Sequence, residues 1–282
     1  MKYMLLVIAW STVVSTTLEA APKHKMTGSH YVNMGSSFAA GSGITPNKPD
    51  SVKRCKQSSD NYASILAKKL DLTLDDRSCA GAKSIHLLEA WGELAPQINA
   101  IKPDTKVVTI TVGGNDLNYV RNLYALSCSE EEGLVIGGKH IPCFPEVSAE
   151  KSAYIQLEKN LRETIRKISV KAPQASVIFI QYVTLVPARL CAATSLTEQE
   201  ARRMRRIAER LSSITADVAK DSGAMLLNSD ALSIERTPCD QEPWSIGSTV
   251  TPNNSNGMPW HPNKQANHAI AEKLREMLAL QN

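Results

Sequence analysis

The sequence is poor in aromatic residues and carries little excess charge of either sign. Phe, Trp and Tyr together make up 5% of the 282 residues, and the formal net charge at pH 7 is only +4. The basic residues are dispersed, and no basic stripe is interleaved with aromatic side chains. Single-stranded nucleic acids are bound on aromatic platforms, and nucleic acids in general require a concentrated basic surface. We therefore expect no nucleic-acid partner.

Long apolar runs are also absent, apart from a short one near the N-terminus. The sequence MLLVIAW at 4–10 follows Lys2, is too short to span a bilayer, and gives way to Ser and Thr residues. An alanine pair beginning at Ala20 supplies a small-residue cleavage site. We interpret residues 1–20 as a signal peptide and expect no integral membrane segment. The remaining residues, 21–282, are predicted to form a single domain that is secreted or periplasmic.

The chain has six cysteines, and none of them forms a Cys-x-x-Cys pair. That spacing is typical of zinc and redox sites, so its absence argues against both. An even number of cysteines behind a signal peptide indicates disulfides formed in an oxidising compartment, with reduced, buried cysteines as the alternative. Six cysteines allow 15 connectivities, among which short loop closure favours pairing in sequence order. The predicted disulfides are Cys55–Cys79, Cys128–Cys143 and Cys191–Cys239.

Apolar periodicity predicts strands that alternate with helices. Two continuous apolar runs, 106–112 and 175–183, are typical of strands buried on both faces of a sheet. Shorter strands are predicted at 30–34, 72–78 and 224–227, and helices at 61–70, 84–101, 149–170, 197–220 and 263–280. Such alternation gives a parallel sheet covered by helices on both faces, which defines an α/β domain.

A serine follows the first predicted strand. The sequence YVNMGSSF at 31–38 places a glycine and two serines where this strand ends. Open α/β sheets bind ligands at the carboxyl ends of their strands. A serine hydroxyl becomes an effective nucleophile when a base removes its proton and donors hold the oxyanion that forms. Ser37 is therefore a candidate nucleophile, with a solvated turn as the alternative interpretation.

Three distant residues are candidates for the other parts of such a site. His261 precedes Pro262, which forces it into an extended conformation just before the last predicted helix. Asn115 lies in a Gly-Gly-Asn turn after the strand 106–112, where its amide could donate to an oxyanion. Gly81 lies in a tight turn that lets a backbone N–H approach a reacting group. The alternatives are a structural histidine and ordinary turns.

Together these segments resemble the four sequence blocks of the SGNH, or GDSL-type, hydrolases. The blocks occur in the family's order as GSSF at 35–38, SCAGA at 78–82, VGGND at 112–116 and WHPN at 260–263. The similarity is greatest to the secreted esterases and lipases that have three disulfides. It implies a flavodoxin-like three-layer α/β/α sandwich with a central parallel sheet. It also implies a serine esterase or lipase that needs no cofactor and no metal.

The resemblance assigns a role to each candidate residue. Ser37 would be the nucleophile and His261 the base. The oxyanion hole would combine the backbone N–H groups of Ser37 and Gly81 with the side chain of Asn115. The expected substrate is a carboxylic ester of a lipid or a short acyl chain, with an acetylated carbohydrate as the second choice. The expected enzyme is a monomer.

Two positions depart from the family pattern. Ser36 stands where an aspartate usually precedes the nucleophile, and Met258 stands where the catalytic aspartate is usual, three residues before the histidine. In the secreted branch of the family, a main-chain carbonyl near the histidine can replace that carboxylate. The prediction is therefore a Ser37–His261 dyad in which the carbonyl of Trp260 orients the histidine.

Alternatives remain open for both the orienting group and the activity. Asp240 or Glu242 could approach the histidine in place of a carbonyl. The missing aspartates also fit a secreted ligand- or carbohydrate-binding protein on a degenerate hydrolase scaffold. A metal-dependent hydrolase is disfavoured because the sequence lacks a clustered set of His and Asp residues.

Overall fold

The computed structural model describes residues 26–129, 131, 133–136, 139–249 and 256–280, so the predicted signal peptide lies outside the described residues. The strands are β1 (His30–Gly35), β2 (Thr73–Asp76), β3 (Thr105–Thr111), β4 (Leu134–Ile136), β5 (Lys139–Ile141), β6 (Ser176–Ile180) and β7 (Met225–Leu227). The helices are α1 (Ser37–Ala40), α2 (Tyr62–Leu70), α3 (Tyr119–Leu126), α4 (Lys151–Lys171), α5 (Glu198–Ser222), α6 (Ser229–Leu232) and α7 (Lys264–Ala279).

Five of the strands form one parallel sheet in the order β2-β1-β3-β6-β7. All residues of β1 are buried, and β3 is buried except at Lys106. The five predicted strands correspond to these elements, and the predicted α/β class is confirmed. Strands β4 and β5 form a separate antiparallel pair.

From β1 the chain crosses to β2 on one side of β1 in the sheet. The later strands β3, β6 and β7 are then added in turn on the other side of β1. Because crossovers between parallel strands are right-handed, this reversal places α2 on one face of the sheet and α4 and α5 on the other. Helix α7 packs against α2, and α4 packs against α5, so both faces are covered. The reversal also opens a crevice at the carboxyl ends of β1 and β3, where proteins of this architecture bind ligands.

Helices α5 and α7 begin at residues whose side chains cap them. Thr197 accepts a hydrogen bond from the backbone N–H of Glu200, whose side chain bonds back to Thr197, and this capping box starts α5. Gly223, in the left-handed conformation, ends the same helix. Asn263 caps α7 by accepting from the N–H of Ala266 at 3.0 Å. This last cap lies two residues after His261 and fixes the start of α7 at Lys264.

The helix predicted at 84–101 is wrong. Only two short 3-10 turns form there, Ser84–Leu87 and Gln97–Ala100. Gly92 adopts a positive φ of 61°, and Pro96 disfavours the helical conformation in the residue before it. Both residues interrupt a helix, and the apolar periodicity of the segment did not outweigh them.

Three disulfides join the predicted cysteine pairs, Cys55–Cys79, Cys128–Cys143 and Cys191–Cys239, and their pairing in sequence order is confirmed. The second disulfide brackets the β4–β5 pair. Across the described part of the chain, no helix combines the length and the apolar character needed to cross a bilayer.

Candidate active site

A glycine turn presents Ser37 at the end of β1. Gly35 has a φ of 137°, and a Cβ there would lie 2.1 Å from the carbonyl oxygen of Thr111 on β3, so only glycine fits. The side-chain amide of Gln97 holds this glycine from both sides, accepting from its N–H at 2.7 Å and donating to its carbonyl at 3.1 Å. The chain then turns into α1, whose first residue is Ser37. The nucleophile candidate is therefore held rigidly at the crevice.

His261 reaches Ser37 from the opposite end of the sequence. Its Nε2 lies 2.9 Å from Oγ of Ser37, and both residues are buried. The histidine loop is held by backbone hydrogen bonds, since His261 O accepts from the N–H of Ile246 at 3.0 Å and Trp260 N–H donates to the carbonyl of Ile246 at 3.1 Å. The structure thus brings together the two residues predicted to act as nucleophile and base.

The group that orients His261 is the carbonyl of Pro259, and the prediction of the Trp260 carbonyl is wrong. Nδ1 of His261 lies 2.7 Å from Pro259 O. Trp260 adopts a left-handed conformation with a φ of 56°, which turns the chain so that the carbonyl two residues before the histidine, rather than the adjacent one, faces the imidazole. A carbonyl oxygen only accepts hydrogen bonds. Nδ1 therefore carries the proton, and Nε2 is free to accept one from Ser37.

The two acidic residues considered as alternatives have other partners. The carboxylate of Asp240 accepts from the N–H of Thr237 at 2.7 Å and from its hydroxyl at 2.6 Å. Glu242 forms an exposed ion pair with Arg236. Among the described residues, neither carboxylate forms a hydrogen bond with His261. The histidine is therefore oriented by the backbone.

Burial sets the protonation state of His261. The pKa of His261 is lowered from 6.5 to about 4: removal from solvent is the largest cause, the hydrogen bond to Pro259 acts in the opposite direction, and the charge of Lys56 adds to the lowering. The imidazole is therefore neutral at pH 7. A neutral imidazole with Nδ1 protonated can accept the hydroxyl proton of Ser37.

Three donors lie in turns at the same edge of the sheet. The backbone N–H groups of Ser37 and Gly81 donate to no other group among the described residues. Gly81 has a φ of 84°. The amide of Asn115 uses one of its hydrogens to donate to Ala82 O at 2.9 Å, and its second hydrogen has no partner in the described part of the chain. Donors of this kind can stabilise a developing oxyanion.

Hydrogen bonds tie these turns to one another. The N–H of Cys79 donates to Gly35 O at 3.0 Å, joining the Gly81 turn to the nucleophile turn. The hydroxyl of Tyr182 lies 3.1 Å from Oγ of Ser36 and accepts from the N–H of Gly114 at 3.0 Å. Tyr182 therefore joins the turn that carries Ser37 to the turn that carries Asn115.

Pro259 and Tyr182 are not among the site residues predicted from the sequence. Tyr182 lies inside the predicted strand 175–183, near the carboxyl end of β6, so its place at this edge was foreseeable but its two hydrogen bonds were not. No sequence pattern indicated that the carbonyl of Pro259 would bind His261, because its position depends on the left-handed conformation of Trp260. The described residues contain no group of three or more His, Cys, Asp and Glu that could hold a metal ion.

The fold and the paired serine and histidine are those of a serine hydrolase. A model of the GDSL-like Lipase/Acylhydrolase family matches residues 34–269, most of the chain. The protein belongs to this family. The predicted family and enzyme class, a carboxylic ester hydrolase, are thereby confirmed.

Named relatives agree with this assignment. Lipase 2 of Streptomyces coelicolor is 26% identical, covering 95% of this chain and 92% of its own. An esterase of Streptomyces scabiei is 28% identical over 88% and 86% of the two chains. The solved extracellular lipase of Streptomyces rimosus has a TM-score of 0.69 at 21% identity, covering 88% of this chain and 99% of its own. Phospholipase A1 of Streptomyces albidoflavus NA297 has the same TM-score at 20% identity, covering 89% and 99%. These structures share the fold.

Proposed function

We propose that the protein is a secreted ester hydrolase that works through an acyl-enzyme on Ser37, with His261 as the base. The observation that carries the proposal is the 2.9 Å contact between Nε2 of His261 and Oγ of Ser37, combined with the acceptor at Nδ1. That acceptor selects the tautomer in which Nε2 can take a proton. The pair is buried at the crevice of the sheet, where low dielectric strengthens such interactions.

In the first half of the reaction, Oγ of Ser37 attacks the carbonyl carbon of the ester while Nε2 of His261 takes the hydroxyl proton. The carbonyl oxygen becomes an oxyanion, which accepts hydrogen bonds from the N–H groups of Ser37 and Gly81 and from the amide of Asn115. The carbon–oxygen bond of the ester then breaks. The imidazolium gives its proton to the departing alcohol, and the acyl group remains on Ser37.

In the second half, a water molecule replaces the serine as nucleophile. Nε2 of His261 takes a proton from the water as it attacks the acyl carbon, and the same three donors hold the second oxyanion. The bond to Oγ breaks, Ser37 recovers its proton from the imidazolium, and the carboxylic acid leaves. Throughout, the carbonyl of Pro259 keeps the imidazole in one orientation and one tautomer, the role of the carboxylate in a Ser-His-Asp triad.

Esters of lipids or of short acyl chains are the proposed substrates. The support comes from the relatives, which are named as lipases and an esterase, and from the fold shared with a phospholipase A1. Hydrolysis of a panel of aryl esters with increasing acyl length tests this: a maximum of kcat/KM at medium or long chains would favour a lipase, and a maximum at acetate a short-chain esterase.

Secretion is supported by the three disulfides and by the similarity to the extracellular lipase of S. rimosus. Expression of the full chain should place the activity outside the cytoplasm, with residues 1–20 removed. The expected monomeric state stays a prediction, which sedimentation of the processed protein tests.

A fluorophosphonate probe tests the nucleophile directly. Such a probe should label the folded protein at Ser37, and Ser37→Ala should abolish both labelling and ester hydrolysis. Ser42→Ala is the matched control, because Ser42 is a buried serine in the same segment and, among the described residues, its hydroxyl makes only a long, 3.4 Å, hydrogen bond to Lys56 O. An unlabelled protein that binds an ester without turning it over would instead support a binding protein on a degenerate scaffold.

A further inference from the structure

We propose that Tyr124 is a positioning residue that holds the carbonyl group of Pro259 against His261. This inference rests on the proposed function, because it concerns the geometry of the catalytic base. Tyr124 lies on α3, far from the histidine in sequence, and its hydroxyl donates to Pro259 O at 2.8 Å. The oxygen that orients His261 is therefore the oxygen that Tyr124 binds.

The carbonyl of Pro259 accepts two hydrogen bonds at once. One comes from Nδ1 of His261 at 2.7 Å and the other from the hydroxyl of Tyr124 at 2.8 Å. A carbonyl oxygen has two lone pairs, so it satisfies both donors. Both tyrosine and carbonyl are buried, so water does not compete for either position.

A backbone carbonyl needs such support more than a carboxylate does. The direction of the carbonyl is set by its peptide plane, and the next residue, Trp260, holds a left-handed conformation that is costly for a residue with a side chain. Contacts from the surrounding structure must therefore maintain this plane. Tyr124 supplies one of them directly at the oxygen that matters.

The end of α3 holds the same segment at a second point. The indole Nε1 of Trp260 donates to Oγ of Ser127 at 2.9 Å, and that hydroxyl donates in turn to Leu123 O at 2.6 Å. Tyr124 and Ser127 are three residues apart, so they project from adjacent turns of the same helical end. Two neighbouring groups on one rigid element thus fix two consecutive residues before His261.

The chemistry of the phenol suits a fixed donor. Burial raises the pKa of Tyr124 well above its ordinary value, so the hydroxyl keeps its proton at any working pH. Its ring centroid lies 6.5 Å from that of His261, and no hydrogen bond among the described residues joins it to Ser37. Tyr124 consequently acts through Pro259 and does not touch the reacting atoms.

The test compares Tyr124→Phe with the matched control Tyr31→Phe, which removes a buried phenol hydroxyl bonded to Thr109 Oγ1 at 2.7 Å. In Tyr124→Phe we expect kcat to fall about tenfold with KM unchanged, the factor that an ordinary neutral hydrogen bond represents. Fluorophosphonate labelling should slow by the same factor. The NMR resonance of the His261 Nδ1 proton should shift, whereas the control should leave both the rate and the resonance as in the wild type.

An unchanged kcat and an unchanged Nδ1 resonance in folded Tyr124→Phe would overturn the proposal. So would equal losses in both variants, because they would indicate a general effect of removing buried hydroxyls. Failure of the proposed function has a different signature, namely hydrolysis that survives in Ser37→Ala. The Nδ1 resonance would still report on the Tyr124 contact in that case, since it does not depend on turnover.

Discussion

Acidification should inactivate this enzyme only when His261 takes up a proton, at about pH 4. Burial is the largest cause of this low pKa, and Lys56 adds to it, while the bond to Pro259 opposes both. The acid limb of kcat/KM reports the pKa of the base in the free enzyme. At about pH 5, a histidine with a pKa of 6.5 would be only about 3% neutral, whereas one with a pKa of about 4 would be about 90% neutral, so kcat/KM should be about 30-fold higher than an unperturbed base allows.

The assay is the initial rate of hydrolysis of a soluble aryl ester, quenched and separated by chromatography so that the readout does not depend on the colour of a phenolate. Each acid-treated sample is then returned to neutral pH and assayed again. Activity that recovers was lost through titration of His261, whereas activity that does not recover was lost through irreversible unfolding. His30 and His86 also have lowered pKa values through burial, but their hydrogen bonds are to Thr105 and Lys83, away from Ser37. An acid limb near pH 6.5 would refute the reasoning.

The lowered pKa of His261 also makes the free energy of unfolding depend on pH. His261 binds its proton more weakly when folded, so below about pH 6.5 the unfolded chain takes up a proton that the folded chain does not. Stability is therefore lost as the pH falls from about 6.5 to about 4, by up to about 3 kcal/mol for the full shift. Urea unfolding of wild type and His261→Gln over this range should show the smaller pH dependence in the variant.

Three further variants probe the neighbouring groups. Asn115→Ala should lower kcat by about 10²–10³ with little change in KM, because an oxyanion donor acts in the transition state, and steady-state kinetics measure this split. Gly81→Ala should reduce the unfolding free energy by about 1–2 kcal/mol in urea titrations, since φ is 84° and the new Cβ would lie 3.2 Å from the ring of Trp91. Met258→Asp should not raise kcat as long as the carbonyl of Pro259 keeps its place at Nδ1 of His261, 2.7 Å away; a tenfold gain would indicate that the new carboxylate displaces that carbonyl.

Sequence patterns predicted the central strands β3 and β6 because these strands are continuous apolar runs with few competing signals. The same patterns failed at 84–101, where Gly92 and Pro96 prevent the helix that apolar spacing indicates. The strand ends placed Ser37 and Asn115 at one edge of the sheet without any knowledge of contacts. Local signals of this kind are readable from sequence because each depends on neighbouring residues.

The group that orients His261 could not be predicted from such local signals. Selection of Pro259 over Trp260 depends on one positive φ and on a tyrosine from a helix more than a hundred residues earlier. Tyr182 presents the same difficulty, because its hydroxyl joins turns that are distant in sequence. Long-range contacts between individual atoms leave no periodicity or spacing in the sequence. They are nevertheless the contacts that set the geometry of the proposed site.

The low pKa of His261 is connected with the missing aspartate. A carboxylate at Nδ1 would place a negative charge beside the imidazole and raise its pKa, whereas the carbonyl of Pro259 offers only a dipole, so desolvation dominates. The imidazolium formed during the reaction is then stabilised less than in a charged triad. A larger share of transition-state stabilisation must come from the oxyanion donors, whose turns are bonded to one another. Loss of the Asn115 amide should therefore cost more in kcat than loss of the Tyr124 hydroxyl.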